Sequence, residues 1–137
     1  LKDRGLGVFI NPIPVGATFN HQTSLTVEIT QEKQDSINIL SLQGRLDVST
    51  SGSLDEKLTS LAEAGEVKVL VDCRELDYIS SAGLRVLLSA AKQFKKQSGS
   101  IALATLNPNV KQVFEISGFT SIFPIYATRE EALQALS

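Results

Sequence analysis

The chain has 137 residues, 42% of them hydrophobic and 20% charged, with a net charge of −2. That is enough for one domain with a real core, without the cationic excess a nucleic-acid binder carries. No apolar run approaches the ~20 residues of a membrane-spanning helix. With one cysteine (Cys73) and one histidine (His21), neither an internal disulfide nor a Cys/His zinc site can be assembled; a cytoplasmic setting is expected, with no metal.

Residues 1–24 are broken by Gly5, Gly7, Pro12, Pro14 and Gly16 around the short apolar piece Val8-Phe9-Ile10. They read as an extension or linker that contributes at most one edge strand. From residue 25 the pattern is regular, and 25–137 reads as the domain. Leu25, Val27 and Ile29 alternate with Thr26 and Glu28; after a polar link over 31–35, Ile37, Ile39 and Leu42 follow, which suits an antiparallel hairpin. Thr50, Ser51 and the pair Ser53…Glu56 mark a helix start, Leu54, Leu58 and Leu61 its inner face, and Gly65 its end. The β-branched run 67–71 predicts a strand covered on both faces.

A second helix is predicted over 81–97, with Leu84, Leu87, Leu88, Ala91 and Phe94 on one stripe and Arg85, Ser89, Lys92 and Lys96 on the other. Residues 101–106 form an apolar strand, and Asn107-Pro108 opens a third helix that buries Val110, Val113 and Phe114 and ends near Gly118. A short strand over 122–125 precedes a last helix opened by Thr128…Glu131, with Ala132, Leu133 and Leu136 inward. The order β-β-α-β-α-β-α-β-α predicts an α/β domain: a mostly parallel central sheet with an N-terminal antiparallel hairpin and four helices. Function belongs at the carboxyl ends of its strands, over 44–49, 72–80 and 106–109.

Most familiar chemistry is missing. Gly5-Leu6-Gly7 lacks the third glycine of a dinucleotide fingerprint and reads as tail. Asp47, Asp72 and Asp77 could together hold Mg²⁺, but solvated acids capping turns are the plainer account. Ser81 lies between a strand's loop and a helix, yet Ile79 stands where a nucleophile elbow needs glycine, and no base is near. Cys73 reads as a small buried filler. No catalytic residue and no cofactor site is expected; the chain should act by binding other proteins.

The informative segment is Leu76-Asp77-Tyr78-Ile79-Ser80-Ser81-Ala82-Gly83-Leu84-Arg85. Serines commonly cap helices, but Ala82-Gly83 makes an unusually small first turn with low helix propensity. A helix N-terminus favours anions, so a phosphate on Ser81 would be tolerated while adding roughly −1.5 to −2 charge. Together with Gly44-Arg45-Leu46-Asp47 and the element order, the run Ser80-Ser81-Ala82-Gly83-Leu84 resembles the STAS family, named for sulfate transporters and anti-sigma factor antagonists.

The resemblance, which covers residue 25 to the C-terminus, implies a stand-alone bacterial anti-sigma factor antagonist that regulates sigma-factor-dependent transcription. Such a protein binds an anti-sigma factor, usually also a serine kinase, while unphosphorylated; phosphorylation releases it and a serine phosphatase restores it. It implies Ser81 as phosphoacceptor, with Ser80 as runner-up, and Asp47, Ser80, Ala82, Gly83, Arg85 and Ser89 as partner contacts. Nucleic acid and membrane are not among the implied partners. One departure stands out: Ser80 occupies the position where many antagonists carry an aspartate. The alternative is a non-switching STAS scaffold or sensor module of a larger signalling or transport protein.

Overall fold

A computed structural model describes residues 27–137. The predicted extension, His21, and the first two residues of the predicted first strand lie outside the described residues. Within them the elements are β1 (Val27–Gln34), β2 (Ile37–Leu46), α1 (Ser51–Glu63), β3 (Lys68–Ile79), α2 (Ser81–Lys96), β4 (Ser100–Ala104), α3 (Pro108–Ile116), a 3₁₀ turn (Phe119–Ser121), β5 (Ile125–Tyr126) and α4 (Arg129–Leu136). The strands pair in chain order, β1 with β2 antiparallel and every later pair parallel. The fold class is the one read from the sequence.

Sequential strand order has a direct consequence. Each crossover from β2 to β5 steps the same way across the sheet, and right-handed crossovers put α1, α2 and α3 on one face. There Leu40, Leu42 and Leu46 of β2 meet Leu54, Leu58 and Leu61 of α1, Leu84, Leu87 and Phe94 of α2, and Phe114 of α3. Burying each large side chain contributes about 1.5–3 kcal/mol. On the opposite face, among the described residues, Ala132 and Leu136 of α4 cover Ile37, Ile39, Leu70, Ala102 and Ala104, with Tyr126 and Leu133 packed against them. Arg129 fastens it: its guanidinium lies 3.3 Å from Asp72, donates to Ser41 Oγ at 3.2 Å and reaches Glu32 at 3.4 Å, so one side chain ties α4 to three strands.

Several boundaries differ from the expectation. β1 runs to Gln34 and turns through Asp35 and Ser36, with Asp35 at φ 57°, because a strand at the edge of the described sheet pairs with β2 through its backbone and its outward side chains need no core. The Ser53…Glu56 pair lies inside α1, not at its start. The helix begins at Ser51 with Thr50 as its N-cap, the first two marks read from the sequence, after a turn closed by Asp47. The predicted strand over 122–125 is reduced to β5. Gly118 at φ 78° ends α3 in the left-handed conformation, and the following turn swings Phe123 inward, edge-on to Phe114 at 6.0 Å.

The third strand is much longer than the predicted 67–71. β4 pairs with it from Lys68 to Asp72, and beyond that β2 alone accompanies it to Ile79. Two register shifts, between Ser41/Gln43 and Gly44/Arg45 on β2, each place one extra residue on β3. These bulges explain why the inward positions of the overhang are Cys73, Leu76 and Ile79, three apart instead of two.

Candidate functional site

The site lies where β2 and β3 end together. Leu46 stands opposite Ile79, and the N–H of Ser80 donates to the Leu46 carbonyl at 2.9 Å, closing the ladder before the chain turns into α2. Ser80 is extended (φ −101°, ψ 176°) and is the N-cap of α2: its Oγ accepts from the Gly83 N–H at 3.4 Å, and its carbonyl accepts from Leu84 N–H at 3.0 Å. Ser81 is the first helical residue and is exposed. Among the described residues its hydroxyl has no hydrogen-bond partner. The two serines are therefore unlike: one is committed to the helix start, the other stands free.

Gly83 corrects an expectation. Expected as a partner contact on an accessible first turn, it is buried, and its amide is taken by Ser80. A Cβ built on it would lie 2.9 Å from Ile79 Cγ1 and from Leu46 Cγ and Cδ2. Glycine is needed so that the first turn can sit directly on the last residues of both strands. Ala82 is half-buried beside it; Arg85 and Ser89 are exposed one and two turns further along α2.

Asp47 begins the loop between β2 and α1. Its Oδ1 accepts from the Ser49 N–H (3.0 Å), the Ser49 hydroxyl (2.8 Å) and the Thr50 N–H (3.2 Å), and its carbonyl accepts from Ser51 N–H at 2.8 Å. Thr50, itself buried, donates its hydroxyl to the Arg45 carbonyl at 2.7 Å and accepts from Asp47 N–H at 2.8 Å. The hydrogen bond from the Ser49 hydroxyl, followed by those from the neighbouring amides and Thr50, outweighs partial desolvation and holds the Asp47 carboxyl below the ordinary aspartate value. Its other oxygen is 3.8 Å from Arg45 Nε.

Reasoning from the sequence did not find Tyr78 and Val48. Tyr78 faces away from α1–α3 beside its register partner Arg45, whose guanidinium carbon lies 4.3 Å from the ring centroid. Tyr78 is 40% and Val48 80% exposed, so both add apolar surface close in sequence to the paired strand ends Leu46 and Ile79. The signal was Arg45 and Tyr78 standing one residue before Leu46 and Ile79, but using it required the β2–β3 register.

The remaining candidates separate. Asp72 is held by Arg129, by the Thr105 hydroxyl and by the Arg74 N–H, whereas Asp77 is exposed. No three carboxylate, Cys or His groups among the described residues are close enough to hold a metal ion. Burial, then the Asp72 charge, pushes the Cys73 thiol up to about 12, so at neutral pH it is an inert thiol. No helix among the described residues is long and apolar enough to cross a membrane.

With this geometry in hand, comparison with known proteins is informative. The family model for the STAS domain matches residues 28–132. BtrV of Bordetella bronchiseptica, provisionally named an anti-sigma factor antagonist, is 44% identical over 109 residues, covering 80% of this chain and 94% of BtrV. The anti-sigma-B factor antagonist of Bacillus subtilis is 33% identical over 112 residues, covering 81% of this chain and 99% of that protein. Among solved structures, an anti-sigma factor antagonist from Mycobacterium paratuberculosis superposes with a TM-score of 0.75 at 20% identity, covering 80% of this chain and 93% of that one. SpoIIAA in its unphosphorylated form gives 0.70 at 22%, covering 79% and 95%. At these identities the two structures speak for the fold.

Proposed function

The chain belongs to the STAS domain family, and from that premise we propose that it is an anti-sigma factor antagonist switched by phosphorylation of Ser81. In the unphosphorylated state it binds an anti-sigma factor that is also a serine kinase, in the cytoplasm, and so frees a sigma factor for transcription. Phosphate on Ser81 releases the partner, and a serine phosphatase resets the switch. The chain is ligand and substrate; the chemistry and the ATP belong to the kinase.

One placement carries this reading: Ser81 is an exposed hydroxyl at the first position of α2, next to a serine already used as the cap. A phosphoryl group on Ser81 would enter the favourable end of the helix dipole and would leave the Ser80–Gly83 hydrogen bond and the core beneath untouched. Ser80 is half-buried and its Oγ already accepts from Gly83 N–H, so a phosphoryl group there would have to rebuild the cap. In this reading Asp47, Ala82, Arg85 and Ser89 form the contact surface, the exposed Tyr78 and Val48 are further candidates, and buried Gly83 shapes it from below.

The test uses the anti-sigma targets of BtrV and of the Bacillus subtilis relative as probes. Incubation with kinase and ATP followed by mass spectrometry should find phosphate on Ser81 and none on Ser81→Ala, which still binds. Ser81→Asp should bind roughly a hundredfold more weakly if charge juxtaposition costs about 3 kcal/mol. Equal binding by Ser81→Asp and wild type would remove the switch and leave a scaffold.

A further inference from the structure

Ser81 heads a strip of unpaired positive charge. The exposed residues of α2 are Ser81, Arg85, Ser89, Lys92, Gln93, Lys95 and Lys96, and the helix contains no acid. At ~100° per residue, Ser81, Lys92, Arg85, Lys96 and Ser89 fall within an arc of roughly 80°. No carboxylate among the described residues pairs with Arg85, Lys92, Lys95 or Lys96; the ion pairs there involve Lys33, Arg45 and Arg129. Lys95 and Lys96 sit in the last turn, where the helix dipole welcomes cations. That account does not extend to Arg85, one turn from the N-terminus, where a cation is disfavoured, nor to Lys92 in the middle.

The neighbouring helix narrows the choice of partner. α1 packs beside α2 and exposes Asp55, Glu56 and Glu63. The basic strip is therefore flanked by acids on a chain of net charge −2. A polyanion such as duplex nucleic acid would meet repulsion from α1 as well as attraction from α2, whereas a protein surface can be acidic over one helix and not the other.

We propose that the outward strip of α2 (Arg85, Lys92 and Lys96, with Ser81 at its head) docks an acidic surface of the partner protein. This rests on the antagonist reading and adds the partner's chemistry to it. Arg85 is one turn from Ser81, within reach of a phosphate there, while Lys92 is about 16 Å along the axis, beyond the Debye length of ~8 Å at physiological salt. Phosphorylation consequently cancels Arg85 and leaves the distal lysines charged.

The experiment measures affinity for the same two anti-sigma proteins by calorimetry between about 50 and about 300 mM salt. Arg85→Glu and Lys92→Glu should each weaken binding by about tenfold or more and flatten its salt dependence. Lys68→Glu and Lys111→Glu, exposed lysines off this helix, should stay within about twofold. Ser81→Asp should cost less affinity in the Arg85→Glu background than in wild type, because the two act on one charge. Thermal melts by circular dichroism accompany each variant, and Arg85→Gln and Lys92→Gln replace any that melts early, with the same direction expected. Strip variants that bind as wild type while Ser81→Asp does not would overturn the docking strip and spare the switch. Wild type that binds neither probe would overturn both. Retention of a short DNA duplex by wild type and its loss in Lys92→Glu would overturn the assignment to a protein.

Discussion

Gly83→Ala sets two opposing effects against each other. In an exposed helix the change would stabilise by about 1 kcal/mol, because glycine is that much the poorer helix former. Here the new methyl would stand 2.9 Å from three carbons, where carbon pairs rest at ~3.5–4.0 Å, so the first turn of α2 must lift by several tenths of an ångström or more. The atoms it meets belong to Leu46 and Ile79, 0% and 2% exposed, so neither can swing out into solvent. Overpacking of that kind costs about 1–3 kcal/mol, which against that gain leaves a net loss of up to about 2 kcal/mol. With a urea m-value of ~2 kcal/mol per M, the unfolding midpoint should fall by up to about 1 M. Hydrogen exchange at Ser80, whose N–H holds the Leu46 carbonyl, should accelerate in parallel. Leu46→Ala supplies the missing room: in that background Gly83→Ala should be neutral or stabilising. A Gly83→Ala single variant stabilised by the full ~1 kcal/mol of helix propensity would refute the close-approach argument.

Ser80→Ala should lose about 1 kcal/mol of stability with the cap, measured by the same urea titration, yet leave phosphorylation of Ser81 in place. The Asp47 carboxyl, held below its ordinary value by Ser49 and Thr50, binds its proton more weakly folded than unfolded. Its contribution is complete above the unfolded value of 3.8 and is lost as pH falls through the folded one; carboxyl-carbon NMR should find its midpoint below 3.8, and Asp47→Asn should soften the acid limb of the stability curve. Cys73, with its thiol pushed up to about 12, should resist alkylation at pH 8 in the native protein and react once urea unfolds it, which mass spectrometry will count.

The element order and most inward faces were legible because period 3.6 and period 2 survive in Leu84, Leu87 and Phe94, and in Ile37 and Ile39. The length of β3 was not legible. Its two bulges space Cys73, Leu76 and Ile79 by three, a period belonging to neither element and visible only once β2 is laid beside it. Thr50 and Ser51 marked the start of α1, but Ser53…Glu56 only fits a capping pair locally, while the chain is turned by Asp47, whose amide partners are Ser49 and Thr50. At the site, Ser80 and Ser81 are indistinguishable by residue type, and the backbone path alone divides cap from exposed hydroxyl. Gly83 was singled out for being small, but the reason lies in two side chains beneath it, Ile79 one turn back and Leu46 from the other strand, far away in sequence.

Because β3 outruns β4 by seven residues, Cys73 to Ile79, accompanied only by β2, the serine pair rides at the tip of a two-stranded finger roughly 20 Å beyond the point where the full-width sheet stops. A protein that grips this tip needs a slot only as broad as two strands and one helix end. On its β4 side Asn107 Nδ2 donates to the Leu76 carbonyl at 2.8 Å, which ties the base of the finger to the start of α3 and leaves its tip to the partner.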